Sequence, residues 1–200
     1  MRILIVYCHP YEKSNAAGLF DCARATLQAN GHDLQIIDLH RDGFDPVLRR
    51  EEWLDYFSES EKNIVALDDH VEKLRWAEGM VLIYPTWMYG PPAMLKGWME
   101  RVLLPGVAFE VAPEKNARIV GGLNNIRYFL TITTSGSPRW WLRLVRDPGR
   151  NMIMRAMRIF FHPRCRMRWL QLYDMDHASD RDRAGFRRKV ERELSGISKV

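Results

Sequence analysis

Apolar and polar positions along this chain follow two periods that take turns. Residues 3–7, Ile-Leu-Ile-Val-Tyr, are an unbroken apolar run, the pattern of a strand buried on both faces. From Asn15 to Ala29 the positions Leu19, Phe20, Ala23 and Leu27 fall on one side of a helix, and Asn30-Gly31 supplies its stop. Leu34–Leu39 reads as the second strand. A long connection containing Gly43-Phe44-Asp45-Pro46-Val47-Leu48 leads to a polar helix over 62–78, with Leu67, Val71 and Leu74 as its apolar stripe. Met80–Tyr84 is the third strand. A helix over Pro92–Leu103 follows, with proline in the first turn, where its missing N–H costs nothing. Ile126–Thr133 reads as the fourth strand and 149–161 as a helix with Ile153, Met157 and Phe160/Phe161 inward. Met167–Tyr173 is the fifth strand. The last helix covers 180–195, with Phe186, Val190 and Leu194 at i, i+4 and i+8.

Strands that alternate with helices imply an α/β fold: a parallel sheet covered by helices on both faces. Five strands predict the order 2-1-3-4-5, in which a ligand crevice lies beyond the carboxyl ends of the strands. The loops after strands one, three and four must then meet at one site. The 200 residues read as a single domain, 1–200.

Composition narrows the field. The longest apolar runs are a few residues long, so no transmembrane helix and no membrane insertion are expected. The chain opens directly on its first strand-like run, without the features of a signal peptide, and a cytoplasmic protein is expected. Cys8, Cys22 and Cys165 are odd in number and widely spaced, which indicates neither a disulfide framework nor a zinc site. The six histidines show no ligand spacing, and no metal is expected. The net charge of +5 is unevenly spread. Nine arginines and a single acid, Asp147, lie between Arg139 and Arg168. This stretch reads either as a solvated helix face with an arginine-guarded edge strand, or as an attractor of a pyrophosphate or an NADP phosphate. No nucleic-acid motif accompanies the charge, so nucleic acid is not an expected partner.

The three loops carry the candidate chemistry. Loop one, His9-Pro10-Tyr11-Glu12-Lys13-Ser14-Asn15, ends just before a helix; it reads as an ordinary cap by Ser14 or as a phosphate-binding helix start. It lacks GxGxxG, so it is not a dinucleotide fingerprint. Loop three, Pro85-Thr86-Trp87-Met88-Tyr89-Gly90, sets aromatic residues where turns are normally polar. Either a flat apolar ligand or a subunit interface would cover them. Loop four, Thr133-Thr134-Ser135-Gly136-Ser137-Pro138, is small and hydroxylic; it reads as a plain turn or as a close backbone approach to a planar ligand.

Taken together these residues resemble the NAD(P)H:quinone oxidoreductases of the flavodoxin-like fold. The resemblance rests on His9-Pro10, Phe44-Asp45-Pro46, Tyr84-Pro85 through Gly90-x-Pro92-Ala93-x-Leu95-Lys96-Gly97-Trp98 to Arg101-Val102, and Ile132-Thr133-Thr134-x-Gly136. It covers residues 1–136 well and the remainder loosely. It implies a flavodoxin-like three-layer sandwich, a bound FAD or FMN with FAD placed first, NAD(P)H as co-substrate, a quinone as acceptor and a homodimer. His9, Ser14, Asn15, Ala16 and Ala17 would hold the flavin phosphates. Pro85, Thr86, Trp87, Met88 and Tyr89 would lie along the ring system, and Thr133, Thr134, Ser135 and Gly136 along its pyrimidine side. Hydride transfer to the flavin and then to the quinone through one shared position implies ping-pong kinetics, with no side chain named as a catalytic acid or base. A flavin-binding accessory subunit of a potassium-efflux system is the alternative the resemblance offers. Many members read Ser-Phe-Asn where this chain reads Ser14-Asn15-Ala16. Some place a Tyr and a His at the spacings where this chain has Trp141 and Asp147. Arg139 or Arg143 is the expected substitute for their charge.

Overall fold

The computed structural model describes residues 1–110 and 119–197. In chain order its elements are β1 (Arg2–Tyr7), α1 (Asn15–Ala29), β2 (Asp33–Asp38), α2 (Arg50–Asp55), α3 (Ser60–Ala66), α4 (Asp68–Trp76), β3 (Gly79–Pro85), α5 (Ala93–Val102), β4 (Phe109–Glu110), β5 (Val120–Gly121), β6 (Tyr128–Thr134), α6 (Arg139–Leu144), α7 (Pro148–Asn151), β7 (Arg166–Leu172) and α8 (Asp180–Ser195). One π-helical turn (Met152–Ala156) and one 3₁₀ turn (Met157–Phe160) follow α7.

The main sheet has the order β2-β1-β3-β6-β7 with every pair parallel, which is the predicted 2-1-3-4-5. β3 and β6 lie in the middle and are buried along their whole length, so their sequences are continuous rather than alternating. Successive side chains of β1 point to opposite faces. Ile3, Ile5 and Tyr7 join Leu19, Ala23 and Leu27 of α1 and Phe186, Val190 and Leu194 of α8 in one apolar cluster. Leu4, Val6 and Cys8 join Val71 and Leu74 of α4, Leu95, Trp98 and Val102 of α5, and Ile153, Met157 and Phe161 in the other. Three layers result, as the resemblance implied. β7 forms one edge, and its Arg166 and Arg168 point outward to Glu193 of α8, at 3.4 and 2.9 Å. This part of the basic stretch guards an edge strand.

Several elements depart from the periodicity. The helix expected over 62–78 is two, because Leu67 (φ −121°, ψ 23°) leaves helical geometry while its side chain stays buried. α2, inside the long connection, has no buried residue and therefore no apolar period to read. The β4–β5 ribbon has two residues per strand, too short for any period. The expected helix over 149–161 is α7 followed by the π and 3₁₀ turns, which keep Ile153, Met157 and Phe161 inward while the hydrogen bonding changes beneath them. Among the described residues no helix is long and apolar enough to cross a membrane.

Candidate functional site

The carboxyl ends of β1, β3 and β6 lie side by side, with Tyr7 opposite Ile83 and Pro85 opposite Thr134. The three predicted loops therefore leave the sheet at one rim, and contacts bind them together. The His9 and Trp87 rings lie 6.0 Å apart. Thr86 N–H donates to the Thr134 carbonyl at 2.7 Å, and the Thr86 and Thr133 hydroxyls share a bond of 3.0 Å. The turn after β7 supports loop four from beyond: Met175 N–H donates to Ser135 O at 2.9 Å and Asp174 N–H to Ser137 O at 3.2 Å.

Loop three is a two-residue turn. Trp87 and Gly90 each donate an N–H to the other's carbonyl at 2.9 Å, and both central residues have positive φ, Met88 at 45° and Tyr89 at 64°. Such turns select Gly, Asn or Asp, so Met88 and Tyr89 hold a conformation that side chains of their kind rarely adopt. Tyr89 is pinned at both ends. Its hydroxyl accepts from Trp141 Nε1 at 2.9 Å, and its carbonyl accepts from Gly149 N–H at 2.9 Å. A Cβ on residue 149 would stand 2.6 Å from that carbonyl oxygen, so only glycine lets α7 come this close. The turn leaves Met88 92% exposed and Trp87 45% exposed at the rim.

Between loops three and four lies a cavity of about 320 Å³ lined by Thr86, Met88, Tyr89, Ser135, Gly136, Ser137, Leu142 and Asp176. The N–H groups of Gly136 and Ser137 form no hydrogen bond among the described residues, which leaves two backbone donors at its wall. At the start of α1, Ser14 Oγ accepts from Ala17 N–H at 3.0 Å. Beside it the Asn15 side-chain amide is a buried donor with no partner among the described residues. An unpaired buried donor at a helix N-terminus suits a phosphate oxygen. His9 Nδ1 accepts from Tyr11 N–H at 3.0 Å, and burial, with His40 nearby, holds its pKa below the ordinary value; the ring is neutral near pH 7.

Most of the sequence-predicted residues are thus brought together. Thr86, Met88, Tyr89, Ser135 and Gly136 line one cavity. Thr133 and Thr134 brace Thr86, and Trp87 faces His9. Pro85 closes β3. Ala16 and Ala17 are buried on α1, and the Ala17 N–H is already taken by Ser14. Arg139 and Arg143 do not reach this cavity. They line a neighbouring depression of about 110 Å³ with Leu142, Asp147, Arg150 and Tyr173. Asp176 and Leu142 were missed by sequence reading, and Ser137 was read as part of loop four without being named among the site residues. Asp176 sits on the turn after β7, and the only available signal was the rule that ligands gather at the carboxyl ends of strands. Burial pushes Cys8 up to about 12 and Cys165 up to about 11; burial and the Glu191 carboxylate, to which the Cys22 thiol donates at 3.6 Å, push Cys22 up to about 11, so all three stay protonated. Among the described residues no group of His, Cys, Asp and Glu side chains is gathered to hold a metal ion.

The comparisons agree with this geometry. A family model described as flavodoxin-like fold matches residues 1–194, and the chain belongs to that family. Its relatives include a ribosyldihydronicotinamide dehydrogenase-like protein of Penicillium crustosum, 29% identical over 155 residues, which cover 68% of this chain and 58% of the relative. An uncharacterized NAD(P)H oxidoreductase of Haemophilus influenzae is 31% identical over 137 residues, covering 66% and 64%. The chain thus spans about three fifths of the length of these curated relatives. Among solved structures, Smu.1420 from Streptococcus mutans superposes with a TM-score of 0.84 at 26% identity, over 98% of this chain and all of the other. An FMN-dependent NADH-azoreductase from Bacillus anthracis in complex with FMN shares the fold, with a TM-score of 0.77 at 17% identity over 98% of each chain. The resemblance read from the motifs is borne out.

Proposed function

We propose that this chain is a flavoprotein that binds FAD or FMN and reduces quinones by two electrons at the expense of NAD(P)H. The observation that carries this reading is the cavity between loops three and four, walled by Tyr89 and Met88 on one side and by Ser135, Gly136 and Ser137 on the other, with loop one held at the same rim by the His9–Trp87 contact. The residues fit a flavin. Asn15, with the N–H groups at the start of α1, supplies donors for its phosphate, and His9 adds a neutral imidazole beside Trp87. The N–H groups of Gly136 and Ser137 offer donors to the oxygens of a heterocycle edge, where they would also stabilise negative charge on the reduced ring. Trp87, Met88 and Tyr89 supply flat apolar surface against it. When bound, the flavin supplies the electron-transfer chemistry; the protein contributes binding, orientation and electrostatics.

NAD(P)H and quinone would bind in turn against the one exposed face of the flavin, the basis of a ping-pong scheme. A homodimer fits the exposed Trp53, Leu54 and Phe57, which lie near an apolar depression formed in part by Tyr56, Met99 and Phe160. A cytoplasmic setting, with its supply of reduced pyridine nucleotide, belongs to the same reading. The test is the absorption spectrum of the purified chain after incubation with FMN or FAD, followed by anaerobic addition of NAD(P)H and then of a naphthoquinone. Flavin uptake, bleaching by the nucleotide and recovery with the quinone are expected. A chain that takes up neither flavin refutes the reading.

A further inference from the structure

The basic stretch divides in two. Arg166 and Arg168 are paired with Glu193 on the edge strand. Arg143, Arg146, Arg150 and Arg155 behave differently: none lies within ion-pairing distance of a carboxylate among the described residues. The backbone gathers them. Arg146 and Asp147 are both left-handed, with φ of 62° and 42°, and reverse the chain between α6 and α7, which sets Arg143 opposite Arg150. The π-helical turn, whose bonds run from i to i+5, then brings Arg155 to the same side. Asp147, the single acid among them, accepts from Arg150 N–H through its Oδ1 and attracts the Arg150 guanidinium from beyond ion-pair distance, one carboxylate against four guanidinium groups.

These four arginines, with Asp147, Asn151 and Met154, line a depression of about 640 Å³. It adjoins the smaller depression of Arg139, Leu142, Arg143, Asp147, Arg150 and Tyr173, with which it shares Arg143, Asp147 and Arg150 as lining residues. The smaller depression in turn shares the buried Leu142 with the candidate flavin cavity. Three neighbouring recesses are thus linked by shared walls: one beside Tyr89 and Gly136, one basic, and one larger and more basic. Gly149 touches Tyr89 at 2.9 Å, and Arg155 lies six residues further along the helical segment, about 9 Å at helical rise. Unpaired guanidinium groups repel one another, and a multiply charged phosphate that accepts bidentate bonds relieves this.

NADH carries one anionic group, its pyrophosphate; NADPH carries a second, separated from the first by a ribose. We propose that the two basic recesses take the pyrophosphate and the 2′-phosphate of NADPH in series, so that the phosphorylated dinucleotide is the reductant of this chain in preference to NADH. The proposal rests on the flavoprotein reading for its chemistry but on the arginines alone for its binding site.

Its test separates the two. Calorimetric titration of the full chain with adenosine 2′,5′-bisphosphate and with 5′-AMP measures binding without turnover. The bisphosphate is expected to bind about tenfold or more tightly, the value of one charge-assisted contact. The preference should fall as salt rises from about 50 to about 300 mM, because the site is open. Arg146→Ala/Arg155→Ala should abolish it and Arg146→Lys/Arg155→Lys should restore part of it, each with an unchanged melting temperature. In steady state kcat/KM should favour NADPH over NADH by a similar factor, and the alanine pair should erase that ratio. Equal affinities for the two nucleotides, or a preference that survives the alanine pair, overturns the proposal. So does a site that inorganic phosphate fills as well as the bisphosphate does. An alanine pair that raises KM for a sulfonated quinone and not for NADPH assigns the recess to the acceptor, and also overturns it. A chain that selects the bisphosphate but takes up no flavin supports the phosphate site while refuting the flavoprotein reading.

Discussion

Two glycines in helix interiors give a paired experiment of opposite sign. Gly97 is buried in the middle of α5, where an added Cβ would lie 2.1 Å from the Pro46 carbonyl oxygen, 2.5 Å from its Cβ and 2.7 Å from its Cα. Normal carbon contacts begin at about 3.5 Å, so a methyl group here demands a shift of about 1 Å. The obstacle is backbone and a ring, and it has little room to retreat. Phe44, two residues earlier, is buried against His70 with ring centroids 5.1 Å apart, and Arg101 donates to the Asp45 carbonyl while its guanidinium lies 5.4 Å from the Phe44 ring centre. Overpacking of this kind costs about 1–3 kcal/mol. Replacing a helical glycine by alanine returns about 0.5–1 kcal/mol. With the obstacle so firmly held, Gly97→Ala should lose about 2 kcal/mol net, which lowers the melting temperature of a chain this size by about 4–8 °C. Gly185 occupies an equivalent place in α8, but there a Cβ meets only the tip of Arg188 at 3.9 Å. Gly185→Ala should gain about 0.5–1 kcal/mol and raise the melting temperature by about 1–4 °C. Scanning calorimetry with urea titration of both variants measures the pair. A Gly97→Ala protein that melts at or above the parent would refute the claim that α5 and the Phe44-Asp45-Pro46 segment are in forced contact.

Other expectations follow from single contacts. Trp141→Phe removes the Tyr89 hydroxyl's donor, so loop three should loosen: flavin affinity should fall about threefold to tenfold with the melting temperature nearly unchanged, as spectral titration would show. Burial holds His70 below its ordinary 6.5, and its Nδ1 accepts from Trp98 Nε1 at 3.3 Å, which requires a neutral ring. The unfolded chain takes up the proton more readily, so stability is whole above about pH 6.5 and declines as pH falls below it. Urea midpoints between about pH 7 and about pH 5 should decline less in His70→Gln than in the parent, and an identical slope would exclude His70 as the source. Arg101 and Glu52 form an ion pair with side chains only 13% and 14% exposed. Arg101→Met should cost about 3 kcal/mol, and Arg101→Met/Glu52→Gln less, because the single change strands a carboxylate; equal losses in urea titration would argue against this.

What the sequence disclosed tracks what burial disclosed. β3 and β6 were legible because both faces are covered, and α8 because Phe186, Val190 and Leu194 mark one stripe. α2 was not, because nothing in it is buried, and the break at Leu67 was not, because the residue stays apolar and inward while only its backbone turns. The site was legible as three loops, since strand order alone forces them together, and its residue types were read from loop composition. Asp176 escaped because it comes from a fourth loop with no chemical pattern of its own. At the spacings where the resemblance puts a Tyr and a His in some members, Trp141 and Asp147 act instead on Tyr89 and on the backbone, contacts that no one-dimensional pattern encodes.

That replacement bears on how the proposed site would work. Trp141 spends its one donor on Tyr89, and Asp147 spends a carboxylate oxygen on α7, half-buried, with burial raising its pKa. Neither offers the cavity a cationic or readily ionised donor for charge on a reduced ring. The groups left for that task are the free N–H pair of Gly136 and Ser137, which are fixed dipoles, and the arginines of the adjoining recess, which act through space. Fixed dipoles do not titrate, arginine does not lose its proton, and His9, held below its ordinary value by burial, stays neutral above it, so the reductive half-reaction should be nearly independent of pH between about 7 and about 9. Stopped-flow reduction of the flavin-loaded chain by NADPH measures this. A rate that follows a single ionisation near neutrality would show that a titrating side chain, absent from this account, governs the step.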